Sequence, residues 1–393
     1  MLQERIESEL RSNILPFWLK YGVDQDFGGF RGQITNDLVI DTHADKGLIL
    51  NARILWTFSR VYGVYKEPHF LDAARRAYEY ICTHFRDSEF DGVYWMVDYQ
   101  GETADDKKRI YGQAFTVYAL AEYFHVTRDP SALQFAIALF NAIERASHDD
   151  VHEGYFETYE RNWSLAADQR LSEVDMNEKK SMNTHLHLME AYAALLFEWE
   201  DETLRKRLRE LINLFRTRII NHASHHLIMF FNEEWQPQLD HISYGHDIEA
   251  SWLLVESAGI LGDQALLGEV KQEAVRMAQT VYDQALDTDG GLFYEANPKG
   301  IIDSDKHWWP QAEAVVGFLN AYQISGKKHF LAAAEKSWDF IDKYIVDHQN
   351  GEWFWKVSRG GIVSPDQYKV DNWKCPYHNS RACLEAISRL SNL

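Results

Sequence analysis

The sequence predicts an all-α fold, an (α/α)6 barrel of six inner and six outer helices connected through short β-hairpin loops. Two observations predict it. A glycine turn followed by aromatic residues recurs at Gly29, Gly92, Gly154, near Leu227, Gly291 and Gly351, at intervals of about 60–70 residues, and a fixed period of this kind marks a repeat architecture. Each turn is preceded by an amphipathic helical pattern and followed by a helical pattern that is apolar on all sides. A helix apolar all round is buried, so the second helix of each pair belongs inside.

Residues 3–20 open the chain as an outer helix, with Ile6, Leu10, Ile14 and Phe17 on one stripe. Residues 26–30 read as a turn and a short strand. The first inner helix covers 46–62, with Leu48, Ala52, Leu55, Trp56 and Ser59 on its stripe. Outer helix 67–85 leads through the turn at 91–95 to inner helix 110–126. Outer helices 130–147, 200–220, 263–286 and 327–346 then alternate with inner helices 182–198, 244–260, 308–324 and 375–391. No low-complexity or Pro/Gly-rich linker interrupts the pattern, so residues 1–393 are expected to form one domain. The stretch 160–181 is long for a structureless loop, and such loops in compact domains tend to carry function.

Bulk properties exclude several partners. With 60 acidic against 40 basic residues, the net charge is -20, which disfavours nucleic acid and anionic membrane. Three dispersed cysteines, Cys82, Cys375 and Cys383, read as reduced thiols of a cytosolic protein. Residues 1–15 are charged throughout and lack the apolar core of a signal peptide, and no apolar run of about 18 residues could span a bilayer. A cytoplasmic location is expected. The 13 Trp, 20 Tyr and 21 Phe offer flat apolar faces that suit either sugar rings or a large core.

Polar residues gather at the starts of the inner helices. Ser243 suits an N-cap, Asp247 and Glu249 place negative charge in the first turn, and His246 and Glu249 share a helix face. This is either a capping network or an acid/base site. The other inner-helix starts carry Asn51 and Arg53; Tyr111 and Gln113; Asn183, His185 and His187; Trp309, Gln311 and Glu313; and Trp373, His378 and Arg381. In a barrel of parallel inner helices these residues converge at one end, and ligand pockets combine apolar walls with a few such groups. His185 and His187, two apart, point to different sides of a helix, so only one faces the axis; His187 is preferred. His222, His225 and His226 read as solvated or capping residues. Trp308, Trp309 and Trp373 at a pocket mouth would be platforms for a pyranose ring. No set of three or four residues has recognisable metal-ligand spacing, so no metal is expected.

The segments 51–56, 182–187, 243–252, 308–318 and 373–379 run in order over nearly the whole chain and resemble the N-acylglucosamine 2-epimerase superfamily. Trp373-Lys374-Cys375-Pro376-Tyr377-His378 is the most specific and points to its cellobiose 2-epimerase branch. The resemblance implies an (α/α)6 barrel that epimerises C2 of a reducing-end glucose without a cofactor. Cellobiose, lactose and β-1,4-mannobiose are the implied substrates, and a monomer is the implied state. It places His246 and His378 as two catalytic imidazoles. Arg53, Tyr111, Asn183, His187, Glu249, Trp309 and Trp373 fall on the implied substrate pocket, with Asp175 and Glu295 on loops toward a second sugar. Two positions depart from the family pattern: Pro310, where a branched aliphatic is expected, and Ser380, where a glycine is expected.

The chemistry expected is proton removal α to a carbonyl. His378 would open the ring as general acid, one imidazole would take the C2 proton, Arg53 would stabilise the cis-enediolate, and the proton would return on the other face. Glu249 is expected to hold His246 in orientation. Rival readings are an aldose–ketose isomerase using the same enediolate, a glycoside hydrolase using Glu249 and Glu313, and a non-catalytic sugar-binding protein.

Overall fold

The computed structural model describes residues 1–393. Twelve helices follow in chain order: α1 (2–22), α2 (Leu48–Tyr65), α3 (68–85), α4 (Ile110–Thr127), α5 (Pro130–Ser147), α6 (Met182–Glu198), α7 (202–219), α8 (Tyr244–Leu261), α9 (Gln264–Gln284), α10 (Trp308–Ser325), α11 (328–345) and α12 (Tyr377–Ser391). The even-numbered helices pack in a closed cycle. α2 touches α4, α4 touches α6, and so on through α8, α10 and α12, which returns to α2. The odd-numbered helices lie against them, with α3 on α2, α5 on α4, α9 on α8 and α11 on α10, while α1 covers α12. This cycle is consistent with the (α/α)6 arrangement expected.

The division follows from the sequence. α10 is buried without interruption over 308–321, so it has no face left for water. α7 buries only Leu204, Leu208, Leu211, Ile212 and Leu214 in its first part, then Phe215 and Ile219, the single stripe of a surface helix. The buried side chains form one contiguous core drawn from all twelve helices. No helix is long and apolar enough to cross a membrane.

Two expectations need correction. The chain is mostly helical but not all-α: short antiparallel strands of two to four residues form six small sheets. Inner helices α2 and α12 also start two residues later than read from periodicity, at Leu48 and Tyr377. In α2 this is because Lys46-Gly47 pair with Met96-Val97 as strand. The same pairing recurs along the chain. The strand leading into one inner helix pairs with the strand of the next turn, as in Lys108-Arg109 with Thr158-Tyr159 and Lys180-Ser181 with Phe230-Phe231. The last link joins Ile34 to Val370, so the ends of the chain close the ring.

Buried ion pairs fix this frame. Lys46 Nζ lies 2.8 Å from Asp24, Lys108 2.9 Å from Asp87, Lys180 2.7 Å from Asp149, Lys306 3.1 Å from Asp287, and Lys369 2.6 Å from Asp347. Each ties the turn after an outer helix to the strand before the next inner helix. The fourth repeat has Asn221 and Ile242 in these two places. Neither residue is charged, so no buried charge is left unpaired there.

Candidate active site

The sixth residue of α2, α4, α6, α8 and α10 is Arg53, Phe115, His187, Glu249 and Glu313, respectively. These side chains meet at the axis. The fourth residue faces outward, which corrects the expectation for Gln113 and Gln311 and agrees with the preference for His187 over His185 on the axis. Gln113 bonds both backbone groups of Val93, at 2.9 and 2.8 Å. Gln311 does the same at Leu292, at 2.7 and 3.0 Å, and His185 Nε2 accepts from Tyr155 N at 2.9 Å. These residues pin the glycine turns. Asp247, also fourth in its helix, accepts from Leu227 N and holds His226 at 2.7 Å, so His226 is a buried partner and not a solvated residue.

A cavity of about 560 Å³ opens at the N-terminal ends of the inner helices. Arg53, Tyr111, Asn183, His187, His246, Glu249, Trp308, Trp309, Trp373 and His378 line it, with Asp175 and Glu295 from loops. The structure thus brings these twelve expected residues to one cavity, but not Gln113 or Gln311. The 160–181 loop supplies much of its rim, from Gln169 to Glu178.

His378 Nδ1 lies 2.7 Å from Glu313 Oε1, which leaves Nε2 without a protein partner. His246 Nδ1 lies 2.7 Å from Ser243 Oγ, and its Nε2 is likewise free. This overturns two expectations. Ser243 does not cap α8 with its hydroxyl, because the imidazole takes it. Glu249 does not orient His246; it accepts from Arg381 Nη2 at 2.5 Å. Both imidazoles contact the Trp309 indole, with centroids at 4.7 and 5.6 Å. Gly245 makes that approach possible, since a Cβ there would fall 2.4 Å from the Trp309 ring.

Arg381 is the hub beneath the cavity. Its guanidinium bonds Glu249, Glu313 at 2.7 Å, Glu190 and the Tyr377 hydroxyl. Glu190 in turn holds His187 Nδ1 at 2.9 Å and accepts from Tyr377 at 2.8 Å. Glu190 and Tyr377 were missed at the level of sequence. Glu190 follows His187 by three residues, the same helical spacing that drew attention to His246 and Glu249. Glu249, Glu313 and His378 bring donor atoms within 4.8 Å of one another, a spacing that could hold a metal ion. The Arg381 guanidinium already bonds both carboxylates there and supplies the positive charge.

Burial sets the protonation states. It pushes His246 down to about 3, with the neighbouring His187 adding to the effect. It holds His378 well below the ordinary imidazole value, helped by the charges of Arg53 and Arg381. Burial and the adjacent Glu313 lift Glu249 to about 8 against the pull of Arg381, and burial also raises Glu313. Burial opposes ionisation of Glu190 too, but Arg381 and the His187 and Tyr377 contacts overcome it and hold that carboxyl at about 2. The two imidazoles are therefore neutral, and the carboxyls of Glu249 and Glu313 resist ionisation.

Arg53 donates to the Tyr111 hydroxyl at 2.9 Å and lies over the Phe115 and Tyr377 rings at 4.3 and 5.0 Å. It forms no ion pair with a carboxylate, so its charge remains available to a ligand.

A family model described as N-acylglucosamine 2-epimerase matches residues 28–382. The cellobiose 2-epimerase of Bacteroides fragilis is 45% identical over 388 residues, covering 98% of this chain and 99% of its own. That of Dictyoglomus turgidum is 40% identical over 391 residues, with 99% of each covered. The solved structure of the cellobiose 2-epimerase from Bacillus thermoamylovorans superposes with a TM-score of 0.95 at 39% identity, covering 98% of this chain and 99% of that one. The protein is thus a sugar epimerase, an enzyme of the isomerase class. The chain belongs to the N-acylglucosamine 2-epimerase family.

Proposed function

We propose that this enzyme, on an (α/α)6 barrel and without a cofactor, interconverts glucose and mannose at the reducing end of β-1,4-linked disaccharides. Cellobiose would give 4-O-β-D-glucosyl-D-mannose, and lactose would give epilactose. The observation that carries the reading is the pair of neutral imidazoles on one indole, each with Nδ1 engaged and Nε2 free. An epimerase needs two such groups, one for each face of C2.

The Glu313–His378 pair supplies the first proton. With Glu313 protonated, its O–H donates to His378 Nδ1, and His378 Nε2–H donates to the ring oxygen. The C1–ring oxygen bond breaks as the anomeric O1–H passes its proton to the free Nε2 of His246 and the carbonyl forms; Glu313 keeps the negative charge, and His378 becomes Nδ1–H with a lone pair on Nε2. The C2–H of the open aldehyde is acidified by the carbonyl, and an Nε2 lone pair on one face removes it. The resulting cis-enediolate carries negative charge that Arg53, free of any carboxylate, stabilises. The opposite imidazole then returns a proton to the other face of C2, which inverts that centre. Trp309 and Trp373 are apolar walls for the two rings, with Asp175 and Glu295 reaching the second sugar.

The hydrolase reading is disfavoured by Arg381. Glu249 and Glu313 bond the same Nη2, whereas a hydrolase needs its two carboxyls flanking a scissile bond. Chromatography of cellobiose incubated with the enzyme tests the reading. A disaccharide with a mannose reducing end is expected. A ketose would point to the isomerase, and released glucose to the hydrolase.

A further inference from the structure

Three imidazoles line the catalytic cavity, and each has a different partner at Nδ1. His187 Nδ1 lies 2.9 Å from Glu190, His378 Nδ1 2.7 Å from Glu313, and His246 Nδ1 2.7 Å from the Ser243 hydroxyl. Two of these partners are acids and one is not. We propose that Ser243 is a positioning residue for the reaction: its hydroxyl accepts from His246 Nδ1–H and so keeps a lone pair on Nε2, aimed at the sugar. The inference rests on the two-imidazole scheme proposed above.

A neighbouring repeat shows that this bond is not a by-product of helix capping. Ser181 and Ser243 are the N-cap residues of α6 and α8, and both are buried. The third residue of each helix is Thr184 and His246, respectively. Ser181 Oγ accepts from Thr184 N at 3.1 Å, the ordinary cap. Ser243 makes no such bond and turns to the imidazole instead. Its backbone is held by the short strand Ile242–Ser243, which pairs with Ala296 and Glu295. The ring is held by the Trp309 indole against its face.

The bond at one imidazole nitrogen decides what the other presents. A hydroxyl can accept from an N–H or donate to a bare nitrogen. The scheme requires acceptance, because His246 must receive a proton at Nε2 when the ring opens. Nδ1–H then stays in place while the proton at Nε2 comes and goes. The hydroxyl also carries no charge to hold the imidazolium, whereas a carboxylate in its place would keep the proton on the ring. His187 from α6, Glu313 from α10, His378 from α12 and the His241–Glu295 pair on the rim also face His246. A substitution at 243 leaves all of these in place.

Nitrogen NMR of the resting enzyme, labelled in its histidines and free of sugar, tests the tautomer. Signals lost in His246→Asn identify the ring. The wild type should show a protonated Nδ1 and a bare Nε2 at His246, and Ser243→Ala should lose that preference. In steady-state kinetics on cellobiose, Ser243→Ala should lower kcat by about 10²-fold, the lower end of what acid–base catalysis contributes, with KM nearly unchanged and the helical circular dichroism intact. Ser243→Thr keeps the hydroxyl at an extended backbone position and should recover most of the loss. Ser243→Asp should move the acid limb of the kcat/KM profile up by about 1–3 pH units. A bare Nδ1 in the wild type, wild-type kcat in Ser243→Ala, or an unmoved acid limb in a folded Ser243→Asp would overturn the role. Where Ser243→Asp does not fold, the spectrum and the alanine and threonine variants decide it. Absence of cellobiose turnover in the wild type would count against the disaccharide reading, and the spectrum, recorded without sugar, would still decide the role of Ser243.

Discussion

His378 Nδ1 and Glu313 Oε1 are 2.7 Å apart, although 65 residues separate them in sequence. Glu313 also accepts from Trp252 Nε1 at 3.0 Å and from Arg381, so its position is fixed from three sides. The carboxyl therefore sets which nitrogen of His378 faces the sugar. Glu313→Gln keeps the shape and removes the proton exchange. It should lower kcat by about 10²–10⁴-fold with KM nearly unchanged and the helical circular dichroism intact, as steady-state kinetics would show.

The proposed scheme gives His246 and His378 complementary halves of the reaction. His246→Ala and His378→Ala should each abolish epimerisation while circular dichroism stays that of the wild type. Full turnover in either variant would remove the two-base scheme.

Arg53→Lys preserves charge but loses the planar fork that reaches Tyr111 and the Trp373 carbonyl. The expected loss is about 10²-fold in kcat, in the range seen when one oxyanion donor is removed. An unchanged kcat would assign Arg53 to packing alone.

The buried His246 also predicts a pH effect on stability. Its pKa falls to about 3 in the folded enzyme, against about 6.5 in an unfolded chain. The unfolded state gains a proton that the folded state refuses, so this contribution is lost as pH falls from about 6.5 toward 3. Glu249, raised to about 8, acts in the opposite sense, losing stability as pH rises toward 8, and is present in both proteins compared. Relative to His246→Asn, the wild type should lose about 2 kcal/mol between pH 7 and pH 5, measured by denaturant unfolding at each pH.

The repeated ion pairs predict a difference between repeats. Lys180→Ala strands Asp149 in the core and should cost about 3–5 kcal/mol. Ile242→Lys in the fourth repeat should also destabilise, because Asn221 offers no charge. Adding Asn221→Asp to it should recover much of the loss, a coupling that a double-mutant cycle measures.

Much of this was legible in the sequence because helical periodicity is local. The order and number of helices follow from stripes such as Ile6, Leu10 and Ile14, and the set of cavity residues follows from their recurrence at inner-helix starts. The partners were not legible. Glu249 was expected on His246, but helix neighbours do not decide which of several nearby groups a carboxylate takes, and Arg381, 132 residues away, wins it. Gln113 and Gln311 looked like site residues because composition does not separate a polar group facing the axis from one pinning a turn. The strand pairing between successive repeats was hidden as well, since two-residue strands such as Lys46-Gly47 carry too little pattern to read.

The central claim is proton exchange at C2 by the protein's own imidazoles, and nuclear magnetic resonance of cellobiose incubated with the enzyme in D2O tests it most directly. The account predicts a mannose reducing end that carries deuterium at C2, formed without added metal or nucleotide. A mannose product that retains the original hydrogen at C2, or a sugar that stays unchanged, would contradict it.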